Sequence, residues 1–203
     1  MRVWGHSDQV SLQNWRIEHT QTANLESKGL PKAKNDSILP YKITTTMETP
    51  ESNFSKLGLE LPPPPTPLGV YKPCLVVGNQ LYLSGHGTVQ TDGTLIIGQI
   101  GKDFSPEEGK LAARQVGLAM LATIKANLGS LDRVKRVIKV FGMVNCESTF
   151  LLHPYIINGA SELFAQVWGE ENGIGVRSAV GMGSLPDNIP VEIEALFELH
   201  EGA

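Results

Sequence analysis

The apolar positions of this chain repeat with two periods, and each period predicts a set of elements. In "SPEEGKLAARQVGLAMLATIKANLGS", Val116, Met120, Ile124 and Leu128 recur at helical spacing. Ser105 stands as N-cap, Pro106 takes the first helical position, Glu108 closes a capping box and Gly129 supplies the stop. "HPYIINGASELFAQVWG" returns to the same period through Ile157, Ala160, Phe164 and Val167 and ends at Gly169.

Strand-like runs fill much of the rest of residues 74–197. "CLVVGNQLYLSG" holds two β-rich runs joined by Gly78-Asn79, a two-residue hairpin signal. "GTLIIGQIGKDF" predicts a third short strand, "RVKRVIKVFGMVN" a long one, and "VRSAVGMGSLPDNIPVEIEALF" a pair of strands around a turn. The predicted order is β-β-β-α-β-α-β-β, an α+β fold with a mixed β-sheet and two helices packed on one face. Such a sheet leaves its second face for water or another subunit.

Residues 1–46 are polar and lack either period, which predicts a flexible extension ahead of a domain spanning 47–203. A mitochondrial presequence is the rival reading of that segment, but Asp8, Glu18 and Glu26 count against it, so a cytoplasmic protein is expected. Pro62 to Pro65, with Pro67, predict an extended polyproline segment, read as a stiff lead-in wrapping the domain rather than an SH3-type ligand. No apolar run approaches the roughly 20 residues a membrane span requires.

Composition narrows the function classes. The 203 residues carry a formal net charge of -4, without the basic stripe that nucleic-acid binding demands, so no nucleic acid is expected as a partner. Cys74 and Cys146 are too few for a disulfide framework or a cysteine-rich metal site, and the five histidines are scattered. Neither a metal nor a cofactor is expected.

The last two strands carry charges that a structural strand does not need. Side chains alternate along a strand, so Arg177 shares a face with Ala179, Gly181 and Gly183, while Glu192, Glu194 and Glu198 lie opposite the apolar row Val191, Ile193, Ala195, Phe197 and Leu199. A solvated sheet face would account for the charges. Glycine lowers strand propensity, however, and its presence beside Arg177 suggests that something packs close there. A guanidinium offers a planar fork for a carboxylate, and a nearby glutamate can orient water. Contact between Arg177 and Glu192 is the expectation, subject to a register that the sequence leaves open.

"GNQLYLSGHG" and "VRSAVGMGSLPDNIPVEIEALFEL" together resemble the RidA/YjgF family, also called the endoribonuclease L-PSP family, over residues 47–203. The resemblance implies a chorismate-mutase-like domain, a homotrimer and clefts at the subunit boundaries. It implies hydrolysis of reactive enamines and imines to 2-keto acids and ammonia. Arg177 matches the arginine that clamps a small-molecule carboxylate and Glu192 the acid that positions water. Tyr71, Ser84 and Gly85 match cleft positions. Two matches depart from the pattern: Ala179 stands where deaminase members often have Cys, and His86 where Gln often follows "SG". The cleft asparagine of some members has two counterparts here, Asn158 or Ser161. A non-catalytic binder or sensor of small carboxylic acids and an RNA-cleaving translation inhibitor are the rival functions.

Overall fold

A computed structural model describes residues 48–202, and the extension expected over residues 1–46 lies outside them. The first element, helix α1 (Pro50–Lys56), is absent from the expected order. Its signals are local: Thr49 and Ser52 form a capping box and Pro50 takes the first turn. Phe54 buries itself on the inner side, and Glu51 accepts hydrogen bonds from Leu131 N and Lys125 Nζ, both at 2.8 Å. The lead-in that follows runs against the domain, with Leu57, Leu59 and Leu61 packed on the core.

Strands β1 (Cys74–Val77) and β2 (Gln80–His86) form the expected hairpin. Positive φ at Gly78 but not at Asn79 gives it a turn of the II′ kind, whose twist suits the flanking strands. The strand expected over "GTLIIGQIGKDF" does not form. This segment makes only isolated bridges, among them Ile100 with Phe104 and Cys146. Gly98 and Gly101 take φ of 141° and 89°, which breaks the extended run. Its amides are satisfied irregularly instead, Gly98 N by Asn188 O and Ile100 N by Asn145 O.

Helix α2 (Pro106–Leu128) has the predicted capping box, with Ser105 N donating to Glu108 Oε2 at 2.8 Å, and Gly129 closes it in the left-handed region. Helix α3 starts at His153 as expected. Gly169, at φ 78°, interrupts its helical backbone, and a further turn carries the helix on to Gly173. Both long helices cover one face of a five-stranded sheet completed by β3 (Val134–Asn145), β4 (Val176–Met182) and β5 (Val191–Leu199). Leu81, Val140, Val144, Ile193 and Phe197 point into that layer and meet Met120, Ile124, Ile157 and Phe164.

The strand order is β1-β2-β5-β3-β4. The expected hairpin of the last two strands is therefore not a pair: β3 lies between them, parallel to β4 and antiparallel to β5. The crossover helix α3 forces this, because strands joined through a helix on one face run parallel. The final strand then fills the centre of the sheet.

Candidate functional site

Register fixes which charges share a face. Arg177 pairs with Val140, which pairs with Ala195, a row that belongs to the helix-covered face. Glu192 pairs with Met143, which pairs with Val180, on the open face. Arg177 and Glu192 of one chain thus stand on opposite faces of the sheet. The contact expected between them does not exist, and the sequence reading that put both on the uncovered surface is corrected. Alternation correctly separates two rows on each strand, but the side on which α3 crosses decides which row of β4 faces inward.

Arg177 sits at the sheet edge, half-buried under α3. Its Nη1 donates to Asn158 Oδ1 at 2.9 Å and Ser161 Oγ at 3.1 Å, and its Nη2 to Pro154 O at 3.3 Å. Both candidate counterparts of the cleft asparagine therefore hold the same guanidinium. All three acceptors are neutral, and among the described residues no carboxylate pairs with Arg177. Burial without a counter-charge lowers its pKa from the usual arginine value. Glu162 borders the same cavity of about 380 Å³, but its carboxylate already accepts from Lys110 Nζ at 2.7 Å. Ala179, two residues on, shares the inward face and packs partly on the core.

On the open face, Glu192 lies over Gly85, so close that a β-carbon there would overlap its carboxylate. Absence of a side chain at Gly85 is what admits the glutamate. Burial, and then the like charge of Glu194, raise the Glu192 pKa above the usual carboxylate value. Around it the face is largely apolar: Phe141, Met143 and Leu196 are half-buried, while Tyr82, Val176 and Val180 are exposed. Lys139, Glu194 and Tyr82 border a depression of about 240 Å³ in it.

The first-hairpin residues divide differently from expectation. Ser84 Oγ donates to Lys72 O at 2.6 Å and Ser84 N to Pro73 O at 3.0 Å, which fixes the lead-in to β2. Tyr71 is exposed on that lead-in, its hydroxyl accepting from Leu68 N at 3.3 Å. His86 is not a cleft residue. It is only 2% exposed and lies beneath α2, with Nε2 2.8 Å from Thr123 Oγ1 and Nδ1 2.6 Å from Ser84 O. The bulge between Leu83 and His86 turns its ring inward.

Burial lowers the His86 pKa. The unfolded chain then binds a proton near pH 6.5 that the folded chain refuses, so stability is full above about pH 6.5 and is lost as pH falls through the lower folded value. In urea unfolding at pH 7.5 and 5.5, wild type is expected to lose more stability on acidification than His86→Gln. Equal losses in the two proteins would remove this account.

A five-stranded mixed sheet with two long helices on one face is an α+β fold of the chorismate-mutase-like class. Residues 51–188 match the family described as "YjgF/chorismate mutase-like, putative endoribonuclease". The chain belongs to this family, the RidA/YjgF group. Protein TCP17 of Trypanosoma cruzi is 40% identical over 149 residues, covering 73% of this chain and 93% of TCP17. Among solved structures, Atu1372 of Agrobacterium tumefaciens, of unknown function, is 38% identical with a TM-score of 0.68, covering 75% of this chain and 94% of its own. A Shewanella oneidensis protein carrying the same endoribonuclease label is 34% identical with a TM-score of 0.71, covering 75% of this chain and 100% of its own.

Proposed function

We propose that the chain is an enamine and imine deaminase whose clefts form between the subunits of a homotrimer. The observation that carries this reading is the half-buried Arg177 guanidinium, held by three neutral acceptors and without a carboxylate partner among the described residues. A small acid would supply the missing charge through the planar fork. Because Glu192 lies on the other face, it can meet that ligand only from a partner subunit. The apolar open face around Tyr82, Phe141 and Val180 supplies the surface for such an assembly.

In the proposed reaction Arg177 binds the carboxylate of a 2-imino acid. Glu192 of the partner subunit accepts a proton from water as the water oxygen bonds to the imine carbon. The C=N π bond opens and Glu192 returns that proton to nitrogen; the hydroxyl proton then passes to nitrogen as the carbon–nitrogen bond breaks, ammonia leaves and a 2-keto acid remains. The raised pKa of Glu192 suits a group that takes up and returns a proton. His86 takes no part because it is buried beneath α2. Tyr71, Ser84 and Gly85 line the partner side of the cleft in this reading. Free Cys74 and Cys146 suit a reducing cytoplasmic location.

Ala179 favours a second reading, binding of a small carboxylic acid without turnover, since it brings no thiol or other polar group to the arginine side. The net charge of -4 weighs against RNA as a substrate.

Subunit mixing tests the proposal. Arg177→Ala and Glu192→Gln are each expected to be inactive on 2-iminobutanoate. A trimer co-folded from equal amounts of both is expected to regain about a quarter of wild-type activity, the chance that one cleft draws both intact residues from different chains. Absence of recovery from two individually folded variants would rule out the intersubunit cleft.

A further inference from the structure

The largest cavity among those described, about 510 Å³, is lined by neither Arg177 nor Glu192 and holds a thiol beside an imidazole. Cys146 Sγ is 3.4 Å from His153 Nε2, within reach of an S–H···N hydrogen bond. The thiol follows β3 directly, on a pinned backbone: Gln99 Nε2 donates to Cys146 O at 3.1 Å, and Glu147 N to Ile100 O at 3.0 Å. His153 opens α3 and is held edge-on by Phe150, with ring centroids 5.5 Å apart. Gly181 completes the arrangement from β4. A β-carbon there would meet His153 Nε2 at 2.5 Å and Cys146 Sγ at 3.2 Å, so the pair exists only because that position has no side chain.

We infer that Cys146 and His153 form a second, nucleophilic site that takes small uncharged electrophiles, aldehydes in particular. A thiol beside an imidazole nitrogen is the pairing that activates a cysteine nucleophile. The charge of the cavity separates its ligand from that of the Arg177 cleft. Glu147 borders it and no lysine or arginine does, so among its lining residues it lacks the fixed positive charge that Arg177 gives the other cavity. In the addition, the sulfur bonds to the carbonyl carbon and the carbonyl π bond opens. The thiol proton passes through His153 Nε2 to the oxygen. The product is a hemithioacetal, formed reversibly with nothing oxidised or reduced. Burial raises the Cys146 thiol pKa and disfavours a free thiolate, so the attack depends on His153 Nε2 taking the proton as sulfur bonds to carbon. This site stands whether or not Arg177 binds an acid.

Site-resolved mass spectrometry after iodoacetamide treatment of the folded protein tests it, with Cys74, half-buried and likewise raised in pKa by burial, as the internal reference. Alkylation forms the S–C bond, expels iodide and sends the proton to His153. Cys146 is expected to react about tenfold faster than Cys74, to prefer iodoacetamide over iodoacetate more strongly, and to be protected by propanal while Cys74 is not. His153→Asn is expected to bring Cys146 down to the rate of Cys74. Should that variant fail to fold, propanal protection of the wild type decides alone. Cys146 reacting no faster than Cys74, or labelled at the same rate with and without propanal, overturns the inference.

Discussion

Arg177→Ala is expected to lower kcat/KM for 2-iminobutanoate by about a hundredfold to a thousandfold, on the order of 3–4 kcal/mol of lost charge-assisted binding. The guanidinium is already partly desolvated and aligned by Asn158, Ser161 and Pro154, so much of the ordering needed to receive a carboxylate precedes the ligand. Arg177→Lys keeps the charge but loses the planar fork, and is expected to fall between the two. Melting temperature should move by only a few degrees, because the released partners are half-buried at the sheet edge and can take water. The same variant separates the two readings of the site. If the protein binds without turning over, wild type shows saturable 2-ketobutyrate binding and no hydrolysis, and Arg177→Ala loses the binding. Full hydrolytic activity in Arg177→Ala would remove Arg177 from the chemistry altogether.

The largest effect on stability is expected at Gly159. Helices α2 and α3 approach so closely there that a β-carbon would overlap Lys110 O and lie 2.9 Å from Arg114 N. Both are backbone atoms of α2, so no rotamer change relieves the overlap and the helices must separate. Overpacking typically costs about 1–3 kcal/mol, and rigid neighbours place Gly159→Ala at or above the upper end. The gain in helix propensity, about 0.8–1 kcal/mol, offsets only part of that cost. A net loss near 2–3 kcal/mol corresponds to a melting temperature lower by roughly 4–12 °C. Gly183→Ala provides the control, since nothing lies within 4 Å of its added carbon. Similar melting temperatures for the two variants would show that the helix contact is looser than this.

Much of the fold is readable from neighbours in the chain. Ser105, Pro106, Glu108 and Gly129 mark both ends of α2 because capping is settled within a turn. Gly78-Asn79 marks the first hairpin for the same reason. The same kind of signal, Thr49-Pro50 with Ser52, marks α1, and a run of polar residues disguises it. The false strand over 93–104 shows where local reading fails. Leu95, Ile96, Ile97 and Ile100 have strand composition, but Gly98 and Gly101 bend the backbone, and the amides pair with Asn188 and Asn145 far along the chain.

The candidate site divides along the same line. Motif and alternation single out Arg177, Glu192 and Gly85 and show that the two charged residues need an explanation. They do not show which face each one takes. Period two gives a strand two rows and no sign, so the sign comes from whatever packs on it. Helix α3 crosses on the side of Arg177, supplying Asn158 and Ser161 as its partners, and the insertion of β3 between β4 and β5 removes the hairpin that would have joined Arg177 to Glu192. The pairing of Cys146 with His153 follows from the same crossover, which brings the end of β3, the start of α3 and Gly181 of β4 to one point. The sequence by itself determined the two long helices, the first hairpin and the residue types available for chemistry, because those depend on contacts within a few residues. Which of those residues face one another was decided only by strand order and helix placement, which rest on pairings between distant parts of the chain.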